Sequence, residues 1–168
     1  MSTALKLSTL KNPIFEKLAV ENICAGIRGT LEQLGPFQTE FKPHFFTSSW
    51  VVPTPITVTL TITQGDQPIQ VRFHFDPKPV VEILEGMLGD KVDPESQDIL
   101  DGVGEISNMI YGLIKTKLST SGFQFGMGRP EACFTKNLPP NANPNGQSLV
   151  IPFTVNGSTC HFEFIVFS

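Results

Sequence analysis

The chain has 168 residues; twelve Lys and Arg against sixteen Asp and Glu give a net charge of −4 with His neutral, and 40% of residues are hydrophobic. That length and apolar content suit one domain, expected to span residues 1–168, with a core of its own. The acidic balance argues against nucleic acid or an anionic membrane as partner, no apolar run approaches the ~20 residues that span a bilayer, and Met1–Asn12 lacks a signal-peptide core, so a cytoplasmic protein without membrane insertion is expected.

Asn12-Pro13 opens a helix, with Ile14, Leu18, Ile23, Ile27, Leu31 and Leu34 at helical spacing and Gly35-Pro36 as its stop. Phe37–Pro55 has aromatic residues among prolines without a clean period, and reads as an irregular strand plus connections. Thr57–Thr63 alternates, with Val58, Leu60 and Ile62 on one side and threonines on the other, and Ile69–Phe75 alternates again after a Gly65-Asp66 turn. The two form an expected antiparallel hairpin. Pro77 and Pro79 begin a second helix that ends near Gly89, and Asp93-Pro94 is expected to begin a third, running to about Leu118. Gly122–Thr135 reads as an interrupted strand and Lys136–Gly146 as a polar, mobile loop. Leu149–Val155 and Ser158–Phe167 are strands joined by Asn156-Gly157, a strong hairpin signal. These elements predict an α+β domain, a largely antiparallel sheet packed with three helices, one of them long and central.

The long helix has the most informative pattern. At about 100° per residue, Ile99, Val103, Ile106, Ile110, Leu113 and Ile114 fall on one side. Asp101, Glu105, Asn108 and Gly112 form a narrow stripe opposite, with Met109 and Tyr111 flanking it. A solvated helix face is the ordinary reading of such a stripe. Against it, no Lys or Arg joins the stripe before Lys115, and Gly104 and Gly112 each cost about 1 kcal/mol relative to Ala unless something must come close. The pattern reads as a docking ridge.

Asp101-x-x-x-Glu105-x-x-Asn108-x-x-x-Gly112, within DGVGEISNMIYG, resembles the signature helix of the CheC/CheX family of chemotaxis phosphatases. The surrounding MLGDKVDPESQDILDGVGEISNMIYGLIKTKL and the closing QSLVIPF resemble the same family, whereas Phe37–Pro55 departs most from its pattern. On the first helix, Glu16 and Glu21 are followed three residues later by Ala19 and Cys24, so a single Glu-x-x-Asn pair is present, as in CheX.

The resemblance implies hydrolysis of the aspartyl phosphate on a CheY-like response regulator. The regulator supplies a Mg²⁺ ion and a lysine, so the phosphatase has only to position water and exclude unproductive geometry. Asn108 suits water orientation, because an amide donates and accepts hydrogen bonds without titrating near neutrality. By resemblance Glu105 pairs with the regulator's lysine, Asp101 supports the interface, Gly104 and Gly112 admit close approach, and Met109 and Tyr111 are apolar rim contacts. A homodimer joined through the sheet is implied, with Ser158–Phe167 as a candidate edge strand. No metal site and no cofactor of the chain's own are expected. The alternative is a non-catalytic CheC/FliM-like binding module or scaffold reading a phosphorylated receiver domain; the intact Glu105/Asn108 pair speaks against it.

The remaining candidates read as structural. Cys24, Cys133 and Cys160 have no paired spacing and are expected as free thiols. Cys160 and His161 are adjacent on a strand and so point to opposite faces, the Cys buried and the His at the surface. His74 is out of phase with the core residues and expected to face solvent. Gly126-Met127-Gly128-Arg129 lacks the Lys-Ser/Thr and helix of a phosphate loop.

Overall fold

The computed structural model describes residues 13–138 and 147–167. Residues 1–12, residues 139–146, which make up most of the expected polar loop, and Ser168 lie outside them; the start of that loop, Lys136 and Asn137, joins Thr135 in one 3-10 turn.

The first helix, α1 (Pro13–Leu34), buries Phe15, Ala19, Ile23, Ile27 and Leu31, a strict one-face ladder. The irregular stretch contains two short strands, β1 (Thr39–Phe41) and β2 (Phe45–Thr47). The threonine-rich hairpin forms as expected, β3 (Ile56–Gln64) pairing with β4 (Gln67–Phe75) through Gly65 at φ 60°. Helix α2 (Pro77–Leu88) stops at Gly89, whose φ of 74° suits glycine and whose N–H bonds back to the Glu85 carbonyl.

Helix α3 (Gln97–Thr120) starts later than the sequence suggests. Asp93 Oδ1 accepts from the Glu95 N–H at 2.9 Å, and the Asp93 carbonyl accepts from Ser96 N and Oγ, a turn that holds residues 93–96 outside the helix. Only Pro130–Phe134 of the expected interrupted strand pairs in the sheet, as β5. Strands β6 (Gln147–Val155) and β7 (Ser158–Val166) close the chain around Asn156 (φ 48°) and Gly157 (φ 83°), as a two-residue hairpin requires.

Among the described residues, seven strands form one antiparallel sheet in the order β1-β6-β7-β4-β3-β5, with β2 also on β6. Strand β7 therefore lies inside the sheet, between β6 and β4, and the expectation of an edge strand at Ser158–Phe167 is corrected. The edges are β5 on one side and β1 with β2 on the other.

One sheet face is apolar across its centre. Val58, Phe73, Phe162 and Ile151 lie in one register row across four strands, all buried. Helices α1 and α3 pack there and cross tightly at Gly26, where a Cβ would lie 2.5 Å from Ile114 Cγ1 and 3.1 Å from its backbone.

The opposite sheet face carries polar residues, and beneath Trp50 they are buried, which corrects the expectation for both histidines. His74 is fully buried and His161 nearly so. Both lie under Trp50, whose ring sits 5.5 Å from that of His74 and 5.1 Å from that of His161. Glu163 is buried beside them: Trp50 Nε1 and Ser148 Oγ donate to its Oε2 at 3.1 and 2.6 Å, and His74 Nε2 meets Oε1 at 2.9 Å. Thr57 Oγ1 lies 2.9 Å from both His74 Nδ1 and Thr135 Oγ1, and Thr135 Oγ1 donates to the Thr54 carbonyl at 2.7 Å, which extends the network beyond the histidine.

Candidate functional site

Helix α3 buries Ile99, Val103, Ile106, Ile110, Ile114 and Leu118 against the core, as its period requires. The buried arc is wider than the apolar pattern, since Leu100, Gly104, Ser107 and Tyr111 are also buried. The cause is a neighbour from far along the chain. Residues 126–132 run along this flank, with Gly126 at Tyr111 and Pro130 at Gly104. Tyr111 is thus not a rim residue. Its ring is in the core, its hydroxyl donates to the Gly126 carbonyl at 2.7 Å, and burial pushes its phenol well above the usual range.

The rest of the stripe faces outward. Asp101, Glu105 and Met109 are exposed, and Asn108 and Gly112 are half-buried. Residues three and four apart on a helix are surface neighbours, so Asp101, Glu105 and Asn108 stand side by side. Among the described residues, Glu16 and Glu163 are the carboxylates within ion-pair distance of a basic side chain, those of His44 and His74, and neither stripe carboxylate is. Asp101 Oδ1 accepts from Gln97 Nε2 at 3.0 Å. Asn108 Oδ1 is buried without a hydrogen-bond partner among the described residues. Rotation about its last torsion exchanges the two ends of the amide.

Neither glycine of the stripe is required by the fold. A Cβ on Gly112 would meet nothing within 4 Å, and one on Gly104 only Pro130 Cβ at 3.9 Å. Both keep a helix-weakening residue where alanine fits.

Beside the stripe, α3 and β5 enclose a groove of about 410 Å³, lined by Gln97, Leu100, Asp101, Gly104, Glu105, Pro130 and Ala132. Pro130 and Ala132 pair with Leu60 and Val58, residues of the helix-covered face, and so face the groove. No local pattern in the sequence brings β5 to this place; its pairing with β3 does.

Among the described residues no group of three or more His, Cys, Asp or Glu is placed to hold a metal ion. No described helix is long and apolar enough to cross a membrane. The cysteines are free; burial pushes the Cys24 thiol up to about 11 and that of Cys160 up to about 12, so neither is a ready nucleophile.

The family model described as chemotaxis phosphatase CheX matches residues 56–154, more than half of the chain and all of α3. The chemotaxis protein CheX from Vibrio vulnificus has a solved structure similar to this one, at TM-score 0.76 and 22% identity, over 89% of this chain and 99% of that one. The CheX of a CheX–CheY–BeF3–Mg²⁺ complex from Borrelia burgdorferi is similar at TM-score 0.66 and 13% identity, over 89% of this chain and 98% of that one. Among curated proteins, human calmodulin-regulated spectrin-associated protein 2 is 34% identical over 82 residues, which spans 43% of this chain and only 6% of that protein's length.

Proposed function

We propose, for a chain that belongs to the chemotaxis phosphatase CheX family, that it hydrolyses the aspartyl phosphate of a CheY-like receiver domain. Asn108 orients the attacking water and Glu105 pairs with the receiver's lysine. One observation carries this reading. The family match covers α3, and on that helix Glu105 is exposed without a cationic partner, one turn from the half-buried Asn108, whose buried Oδ1 has no hydrogen-bond partner among the described residues. A Borrelia burgdorferi protein of the same fold occurs in a complex with CheY, BeF3 and Mg²⁺, which supports a receiver as the partner here.

The reaction asks little of the chain. Water attacks phosphorus, the bond between phosphorus and the aspartyl oxygen breaks, and the carboxylate leaves as phosphate is released. The receiver carries Mg²⁺ and the lysine, so this chain supplies placement. The Asn108 amide accepts one hydrogen of the water and holds its lone pair toward phosphorus. Glu105 makes a charge-assisted bond to the lysine and so fixes the register in which Asn108 arrives. Gly112 lets the receiver approach the helix backbone, Asp101 continues the contact surface and Met109 adds an apolar contact at its edge; Gly104, expected to share in that approach, is instead buried beside Pro130. The chain works as a homodimer in this reading; a one-chain mass by light scattering at micromolar concentration would remove that part.

The test is phosphate release from receivers charged with acetyl phosphate, wild type beside Asn108→Ala. Loss of about 100-fold in kcat is expected, the order that misplacing a reacting group costs. Turnover unchanged in the variant would overturn the assignment. Binding of the phosphorylated receiver without any turnover by wild type would favour a non-catalytic reader.

A further inference from the structure

The groove between α3 and β5 lies directly against the outward stripe, and the water-positioning role of Asn108 makes no use of it. Its lip carries two carboxylates, Asp101 and Glu105, and its walls are Leu100, Pro130 and Ala132. Neither carboxylate has a cationic partner among the described residues, and Gln97 occupies only Oδ1 of Asp101. The floor holds Gly104, which the fold does not require, since a Cβ added there would lie 3.9 Å from its one neighbour, Pro130 Cβ. A methyl at that position would stand in the groove itself. A groove with apolar side chains along one flank and carboxylates at its lip suits a long aliphatic stem ending in a cation.

We propose that this groove takes a lysine or arginine side chain of the receiver domain, separate from the lysine that pairs with Glu105, and that it selects which receiver is bound. The stem lies on Pro130, Ala132 and Leu100, and the head reaches the free oxygen of Asp101. Gly104 is kept because any side chain would shorten the trough. The inference rests on the receiver-binding reading above and adds a second, non-catalytic contact to it.

The two are separable because the groove is read by affinity and the Asn108 role by turnover. The probe is the complete set of receiver domains from the same genome, each activated with beryllofluoride and Mg²⁺ and titrated against the full chain. Gly104→Ala is expected to melt at a higher temperature than wild type, since alanine is the better helix former, and yet to bind its receiver about tenfold more weakly. Gly86→Ala is the control. Gly86 also lies inside a helix with nothing within 4 Å of a Cβ, so the variant should gain stability and keep wild-type affinity. Ala132→Phe, which fills the trough from the β5 side, should weaken binding by a similar factor. Asp101→Lys should do so too, with recovery on a receiver whose cognate cation is changed to Glu.

Unchanged affinity in both Gly104→Ala and Ala132→Phe overturns the groove, even where Asn108→Ala abolishes turnover. Weakened affinity in both, with turnover insensitive to Asn108→Ala, keeps the groove and overturns the catalytic assignment. A change of oligomeric state in Ala132→Phe with unchanged receiver affinity assigns the groove to a second copy of the chain and overturns the proposal. Binding by no receiver of the set overturns both readings.

Discussion

The protein has two clusters of polar side chains, and they are built on opposite rules. On the outer sheet face Glu163 accepts from Trp50 and Ser148 and meets His74, and His74 meets Thr57, all within 3.1 Å. On the outward face of α3, Glu105 makes no ion pair among the described residues and Asn108 Oδ1 has no partner there. Buried polar groups lower the free energy of the fold only when each one is satisfied. Glu163 and His74 meet that condition under Trp50, whereas Nδ1 of His161 beside them has no partner among the described residues. In the second, Glu105 is exposed and the acceptor capacity of Asn108 Oδ1 is left unspent among the described residues. Glu163 and His74 resemble parts of a catalytic relay far more than Glu105 and Asn108 do, yet Thr57 and His74 are fully buried, with no space for a substrate. Chemistry-bearing residue types therefore matter less here than whether their bonding capacity is already spent.

The largest effect that would break this contrast lies in the sealed cluster. Glu163→Ala removes the acceptor for Trp50, Ser148 and His74 together and leaves buried donors unpaired. A loss of about 3–5 kcal/mol in unfolding free energy is expected, read by urea denaturation. A loss below about 1 kcal/mol would mean that the cluster is wet and that the distinction between the two regions is false.

The same cluster sets a pH dependence. Burial lowers His161 to about 4, with His74 lowering it further and Glu163 opposing. Burial also lowers His74, against the pull of Glu163. Unfolded histidine titrates near 6.5, so below about that pH the unfolded chain takes up protons that the folded chain refuses. Stability therefore falls as pH drops from about 6.5 toward 4. Glu163 does not act in that window. Burial pushes its carboxyl up, but the bonds from His74, Ser148 and Trp50 prevail and hold it below its usual range, so its contribution is lost only at lower pH. His161→Gln should flatten the fall between about pH 6.5 and 4.5 in chemical denaturation. An equally steep fall in the variant would place the proton uptake elsewhere.

What is legible in the sequence follows from how local each cause is. The stripe on α3 is readable because a helix has one period and its outward side needs no knowledge of the rest of the chain. Tyr111 escapes that reading because its flank is covered by residues 126–132, which reach it only through the pairing of β5 with β3. His74 and His161 escape it for the same reason on the other side of the sheet. Their strand alternation is plain, but the outer face is closed by Trp50, from a segment with no period to betray it. The α3 start is hidden because Asp93-Pro94 is a good helix opening by composition, and the turn made by Asp93 and Ser96 pre-empts it. The groove has no sequence signal at all, since its walls lie about thirty residues apart (Leu100 and Pro130).

The smallest effect is also the sharpest test of the open cluster. Asn108→Ala removes an acceptor that has no partner among the described residues and replaces asparagine by the best helix former. Both changes favour the fold, the first by relieving an unsatisfied group and the second by up to ~0.7 kcal/mol. The variant should therefore be more stable than wild type by about 1 kcal/mol, seen as a few degrees in Tm, while it loses phosphate release. That pairing of signs separates a partner-directed group from a structural one, because a structural asparagine would lose stability on truncation and leave turnover to follow the folded fraction. A destabilised Asn108→Ala would show that the amide has a bond inside the chain, and the openness that sets α3 apart from the sheet face would be lost with it.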